Sequence, residues 1–185
     1  MGWLLLIGGV VLWTVPHLFK RLAPEARARM GDAAKGGVAL ASVAGIVLMV
    51  MGYGRADFVP VYAPPTWGVH ANNLLVLIGF YVFGIGMAKG ALSQKVRHPM
   101  LSGVVIWAAA HLLVRGDLAS VILFGGLALW ALAAMTLINA QSGAWTPPAA
   151  KGGAKRDLVA VPIVLVTYAA VGWLHGWLGP WPFGG

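Results

Sequence analysis

Long apolar runs alternate with short polar and basic loops along the chain. Six runs have the length of helices, at residues 2–19, 37–53, 73–88, 100–114, 118–140 and 158–178. Crossing the roughly 30 Å core of a bilayer takes about 20 apolar residues in a helix, so the second, third and fourth runs must extend into their flanks. The pattern predicts an all-α integral membrane protein, a bundle of six transmembrane helices.

The loops between these runs indicate a single domain over residues 1–185, with no convincing internal repeat. Residues 141–157 contain Pro147-Pro148 and Gly152-Gly153. These pairs interrupt helices and loosen the chain, so we expect a flexible inner loop there. The first run has Lys20-Arg21 after it and no basic residue before it. That order is the reverse of a secretory signal, which indicates a retained first helix.

Composition and charge separate this chain from soluble proteins. Of its residues, 59% are hydrophobic and 10% are charged, against roughly 25% charged residues in soluble domains. Basic loops set the orientation of a membrane protein, so the net charge of +8 does not indicate nucleic-acid binding. Eleven of the 13 basic residues lie in the loops after the first, third and fifth runs; Arg55 and Arg115 lie in the others. This bias predicts both termini outside the cytoplasm.

Candidate chemistry is concentrated in the histidines. The chain has no cysteine, so it offers no thiolate ligand and no covalent haem attachment. Its five carboxylates all fall in predicted loops or at helix ends: Glu25, Asp32, Asp57, Asp117 and Asp157. An intramembrane carboxylate site is therefore not expected. Two of the five histidines, His70 and His175, fit interfacial positions.

His111 lies well inside the fourth run, where an imidazole is costly unless it is hydrogen-bonded or ligated. Gly103, Trp107 and His111 follow one another at helical spacing, so they share one face of the helix. That face offers a small residue, a flat aromatic ring and an imidazole. Without thiolates or buried carboxylates, a haem iron bound by two histidines is the metal site most easily built here.

Two histidines compete to be the second ligand. His17 follows Pro16 in the first run and precedes the basic residue Lys20 by less than one turn. His98 lies at the inner start of the fourth helix, about 20 Å from His111 along its axis. His17 should lie nearer the depth of His98, so the pair of His17 with His98 stays open beside the pair of His17 with His111.

Several of these residues occur in motifs that resemble the NnrU family of bacterial membrane proteins. The motifs are Pro16-His17-Leu18, Arg97-His98-Pro99, Gly103, Trp107, His111-Leu112, Gly116-Asp117, Ser120, Phe124-Gly125 and the closing stretch from His175 to Pro180. The family is named for a link to nitrite and nitric oxide reduction in denitrifying bacteria. It is similar to 15-cis-zeta-carotene isomerase, a membrane protein that carries haem b.

The resemblance implies one non-covalent haem b with His17 and His111 as the iron ligands, in a multi-pass protein of the bacterial inner membrane. Both termini would then be periplasmic. We predict that Lys20 and Arg97 lie at the cytoplasmic side of the haem pocket and pair with the propionates, and that His98 also lies near this pocket. In the isomerase, a cysteine three residues before the second ligand takes part in ligand exchange. Ala108 stands at that position, which argues against the same isomerisation.

The function expected is haem-dependent redox or isomerase chemistry on a lipidic substrate, or a role linked to denitrification. Whether the protein is an enzyme stays open. Its expected partners are the lipid bilayer and either a hydrophobic small molecule or a redox protein. One alternative is a cofactor-free scaffold for respiratory complexes. Another is an isoprenylcysteine-type methyltransferase, which Arg97-His98-Pro99 also resembles, but residues 141–157 lack the tyrosines of that family.

Overall fold

The computed structural model describes residues 1–179 and 181–183, and most of them are helical. Their α-helices are α1 Gly2–Leu22, α2 Pro24–Arg29, α3 Ala33–Tyr53, α4 Gly68–Ala88, α5 Pro99–Leu112, α6 Leu118–Ser120, α7 Gly126–Ser142 and α8 Gly153–Leu178. A 3₁₀ turn covers Ala91–Gln94. A π-helical turn at Val121–Gly125 joins α6 to α7, so Leu118–Ser142 forms one continuous span.

Within the described residues, five helices are long and apolar enough to cross a membrane: α1, α3, α4, the span Leu118–Ser142 and α8. Their outer faces carry large exposed apolar side chains, such as Leu40 at 73% exposure and Val166 at 69%. The predicted all-α membrane class is therefore confirmed. The helix predicted at residues 100–114 corresponds to α5, which has 14 residues. At about 1.5 Å per residue it is shorter than a full crossing, so the structure does not establish six spanning helices.

Three helices of the described residues begin four or five residues before the predicted apolar runs. α3 begins at Ala33 and α4 at Gly68, and α8 begins at Gly153, inside the predicted loop 141–157. Polar residues such as Lys155 and Arg156 are good helix formers. Hydropathy therefore locates the apolar part of a helix, and it misses the polar turns that extend the helix beyond that part.

The described chain divides into two compact units. The first unit comprises Met1–Ala63 and Arg115–Ile138, and the second comprises Pro64–Val114 and Asn139–Gly185. In the first unit α1 and α3 are antiparallel and meet at glycines. A Cβ atom built on Gly9 would lie 2.6 Å from the backbone nitrogen of Met49. Because small residues allow such close approach between membrane helices, these glycines fix the crossing of α1 and α3.

The second unit is built around an antiparallel pair of α4 and α5. A Cβ atom on Gly103 would lie 2.8 Å from the carbonyl oxygen of Gly79, so the backbones again meet at glycines. α8 packs on the same helix α4, where the Tyr168 hydroxyl donates to the carbonyl of Asn73 over 3.2 Å. These contacts position α5, and with it His111.

Candidate functional site

His17 is a half-buried residue of α1, which continues as a helix through Pro16. Its Nδ1 lies 2.7 Å from the carbonyl oxygen of Trp13, one turn earlier. A carbonyl only accepts hydrogen bonds, so Nδ1 carries the proton and donates it. Nε2 is therefore the nitrogen with the lone pair, which is the form of imidazole that binds a metal.

Two tryptophans surround the His17 ring. Trp13 stacks on it with ring centroids 4.2 Å apart, and Trp130 of α7 meets it edge-on at 5.2 Å. The indole nitrogens of Trp13 and Trp130 are both buried without a hydrogen-bond acceptor among the described residues. Buried polar groups are normally paired. These two orphan donors therefore favour an additional polar group close to His17.

His111 shows the same local geometry in the second unit. It is half-buried in the last turn of α5, and its Nδ1 lies 2.8 Å from the carbonyl oxygen of Trp107. The same argument places the proton on Nδ1 and the lone pair on Nε2. The Trp107 and His111 rings are 4.9 Å apart and tilted by 51°, so a tryptophan again lies beside the histidine.

The sequence around the two histidines is repeated, contrary to the prediction of no convincing repeat. Gly-Val-Val-Leu-Trp-Thr-Val-Pro-His-Leu at residues 9–18 corresponds to Gly-Val-Val-Ile-Trp-Ala-Ala-Ala-His-Leu at residues 103–112. The helix that packs against each segment also corresponds. A Cβ on Gly45 would lie 3.1 Å from the Gly9 oxygen, and one on Gly79 would lie 3.2 Å from the Gly103 oxygen. Each unit thus contains the same antiparallel helix pair.

The remaining predicted site residues are dispersed. Lys20 is exposed in the last turn of α1, in the first unit. Gly103 packs against α4 at the crossing described above, and Trp107 lies beside His111. His98 precedes α5, and its Nε2 lies 2.8 Å from Oδ1 of Asn139. Arg97 donates through Nη2 to the Gly143 carbonyl over 3.0 Å.

These positions sort the predicted residues into separate groups. Arg97 and His98 lie at the start of α5 and His111 lies in its last turn, a separation of about 20 Å. The structure therefore brings His17 to Trp13 and His111 to Trp107. It does not bring Arg97 or His98 to His111. The proposed roles of Lys20, Arg97, His98 and Gly103 at a haem pocket stay predictions.

A polar cluster at the start of α6 was not predicted. Asp117 accepts from the backbone N–H of Ser120 at 2.9 Å and from its hydroxyl at 2.7 Å. Ser120 is fully buried, and the Tyr53 hydroxyl lies 2.8 Å from its Oγ. Because Ser120 donates to the carboxylate, Tyr53 donates to Ser120. The spacing of Asp117 and Ser120 is that of a helix N-cap, a signal available in the sequence.

A second unpredicted feature is the burial of Asp157 in α8, a residue that the sequence assigned to a loop. It is 6% exposed, and its Oδ2 accepts from the backbone N–H of Leu92 at 3.0 Å. Oδ1 has no hydrogen-bond partner among the described residues. Asp157 therefore ties the 3₁₀ turn Ala91–Gln94 to the start of α8.

Within the described residues, no group of three or more His, Cys, Asp or Glu side chains could hold a metal ion. A haem iron bound by two imidazoles needs only two such residues, so the absence of a larger group does not argue against the two histidines.

A family model described as NnrU protein matches residues 5–182. No curated protein matches the chain, and no solved structure does.

Proposed function

This chain belongs to the NnrU family, and from that premise we propose that it is a haem b-binding integral membrane protein. His17 and His111 would hold the iron of one non-covalent haem. The bound haem would supply one-electron redox chemistry. The proposal extends to a role linked to denitrification, or to redox or isomerase chemistry on a lipidic substrate, in the bacterial inner membrane with both termini periplasmic.

One observation carries the proposal: both imidazoles donate Nδ1–H to the backbone carbonyl of the tryptophan one turn earlier. Histidines that bind metals almost always donate their second ring nitrogen in this way, because the bond fixes the tautomer and the ring orientation. The arrangement presents Nε2 of each residue as a ligand. The buried indole N–H groups beside His17 add support, since they lack an acceptor in the part of the chain that the structure describes.

The chain's own residues would have to retain the haem without covalent bonds, because it has no cysteine. Held by the imidazoles of His17 and His111, the haem would be suited to electron transfer. The apolar helix surfaces and the tryptophans Trp13, Trp107 and Trp130 supply flat, apolar side chains beside the histidines. Their role is to pack and to exclude water.

The test is the absorption spectrum of the full chain purified in detergent after expression with ample haem. We expect a Soret band and sharp bands on reduction, typical of low-spin haem. The double variant His17→Ala/His111→Ala should lose these bands. The matched control His70→Ala/His175→Ala should keep them, because both residues lie outside the proposed site. A colourless wild-type protein would overturn the proposal and favour the cofactor-free scaffold.

A further inference from the structure

The second unit contains a cavity of about 360 Å³ that lies far from His111. It is formed where α4 ends, where α5 begins and where residues 143–152 connect α7 to α8. Lys89, Arg97 and Lys151 line it, together with the apolar residues Trp145, Pro148 and Pro99. The cavity therefore combines three cations with an apolar wall.

Hydrogen bonds hold the walls of this cavity together. The backbone N–H of Lys151 donates to the Lys89 carbonyl over 2.8 Å. Arg97 reaches the Gly143 carbonyl at 3.0 Å, and the amide of Gln94 reaches the Pro148 carbonyl at 3.3 Å. The connection between α7 and α8, which was expected to be a flexible loop, is thus fastened along its length to the segment between α4 and α5.

The charge of the cavity is uncompensated by the residues that line it. None of its lining residues among those described is acidic. The salt bridges of the described residues join Arg29 to Glu25 and Lys35 to Asp32, so neither includes a cavity cation. Asp157 is close to Gly90, but its carboxylate is buried and bonded to the Leu92 N–H. Three cations that line one cavity attract an anion.

Lys89 adds an independent observation because its backbone is left-handed, with φ of 53° and ψ of 36°. Lysine seldom adopts this conformation at the end of a helix, where glycine is the usual residue. Strained backbone that persists in a folded protein often marks a binding site. Here it places a lysine, rather than a glycine, at the rim of the cationic cavity.

From these observations we infer that the cavity binds a phosphate-bearing amphiphile, with the phosphate held by Lys89, Arg97 and Lys151 and the apolar part against Trp145 and Pro148. The volume exceeds what a bare phosphate fills. Met87 and Met100 are 65% and 48% exposed on the adjoining turns of α4 and α5, so an acyl chain has apolar surface to follow. The inference does not depend on haem, and it gives Arg97 a partner other than a propionate.

The experiment measures the retention of phosphatidylglycerol by the full chain, using native mass spectrometry from mixed micelles with phosphatidylcholine as the reference lipid. The variant is Lys89→Gly/Arg97→Gln/Lys151→Gln. Glycine suits the left-handed backbone at residue 89, and glutamine keeps a donor for the Gly143 carbonyl. The control Arg27→Gln/Arg29→Gln/Lys35→Gln removes three cations from the first unit.

We expect the cavity variant to bind phosphatidylglycerol about a hundredfold more weakly, at roughly fivefold per cation. The control should bind it like wild type.

Competition with inorganic phosphate distinguishes a lipid headgroup from a soluble phosphate compound. If it fails to displace the lipid, the natural ligand is a lipid headgroup. If phosphate alone binds to wild type and not to the variant, the ligand is a soluble phosphate compound. Equal losses in both triple variants, or no loss in either, would overturn the inference. Lys89→Gly alone provides the same comparison if the triple variant does not fold.

Discussion

The two units contain the same histidine-bearing helix pair in opposite chain order. In the first unit the histidine helix α1 precedes its glycine partner α3. In the second unit the partner α4 precedes the histidine helix α5. Despite this reversal, Gly45 and Gly79 make the same approach to the opposing helix. The geometry of the histidine-bearing helix pair therefore depends on helical spacing and on the glycine crossing, and not on the connection between the helices.

The surroundings of the two histidines differ. His17 has Trp130 edge-on at 5.2 Å in addition to Trp13, and α1 continues to Leu22 beyond it. His111 follows two fully buried alanines, Ala108 and Ala110, and α5 ends one residue later at Leu112. The first histidine is thus held inside a helix and between aromatic rings. The second is held at a helix end behind small side chains.

The largest expected effect tests whether the two histidines are functionally equivalent. We predict that His17→Gly and His111→Gly each abolish the low-spin haem spectrum, with a loss of haem affinity greater than the roughly 10- to 100-fold that removal of an outer-shell partner costs. Added imidazole should restore the low-spin bands in both variants, because it replaces the missing ligand. Absorption spectra with and without imidazole provide the measurement.

His175→Gly is the control, since it changes an exposed histidine near the end of α8. Its spectrum should match that of wild type. If only one of His17→Gly and His111→Gly lost the low-spin bands, the repeated segments would have different functions. If His98→Gly lost them while His111→Gly kept them, the ligands would be His17 with His98, the alternative pair that the sequence left open.

A smaller effect is expected from filling the glycine crossings. Gly9→Ala and Gly103→Ala each place a methyl group against opposing backbone, at 2.6 Å from the Met49 nitrogen and 2.8 Å from the Gly79 oxygen. Overpacking of this kind lowers the free energy of unfolding by about 1–3 kcal/mol. Gly8→Ala is the matched control, since no atom of the described residues lies within 4 Å of its added Cβ. Thermal unfolding in detergent measures all three, and similar midpoints for Gly8→Ala and Gly9→Ala would contradict the crossing.

The next effect distinguishes the carboxylates that organise each unit. Asp117 caps α6 in the first unit, so Asp117→Ala should lower the free energy of unfolding by about 1 kcal/mol. Asp157 binds the Leu92 N–H in the second unit, and Asp157→Ala leaves that donor unpaired at a cost of about 1–3 kcal/mol. Unfolding of both variants should show Asp157→Ala as the less stable. If Asp117→Ala were the less stable variant, burying Oδ1 of Asp157 without a partner among the described residues would cost about as much free energy as the Leu92 hydrogen bond contributes.

The sequence predicts contacts between residues that are close together in the chain, and it misses contacts between residues that are far apart in it. The bond from His111 to the Trp107 carbonyl follows from residues four apart on a helix, and the apolar runs locate every long helix. The contact of Trp130 with His17 joins residues far apart in the chain, so no local pattern contains it. The burial of Asp157 likewise depends on the 3₁₀ turn packing against α8. Only the three-dimensional structure brings such pairs together.

The smallest effect concerns Tyr62, in the loop between α3 and α4 of the first unit. Its hydroxyl donates to the Arg115 carbonyl over 2.8 Å. Burial raises the pKa of Tyr62, and the nearby Asp117 carboxylate raises it further. Because the folded pKa is the higher one, the stability from this group is complete below the unfolded pKa of about 10 and is lost as pH rises through the folded value.

Absorbance titration of tyrosinate should therefore show Tyr62 ionising above pH 10. The signal of Tyr62 is identified by its absence in Tyr62→Phe. Asp117→Asn should shift this ionisation towards the ordinary value, though only in part, since burial is the larger cause. An unchanged titration in Asp117→Asn would show that burial alone sets the pKa.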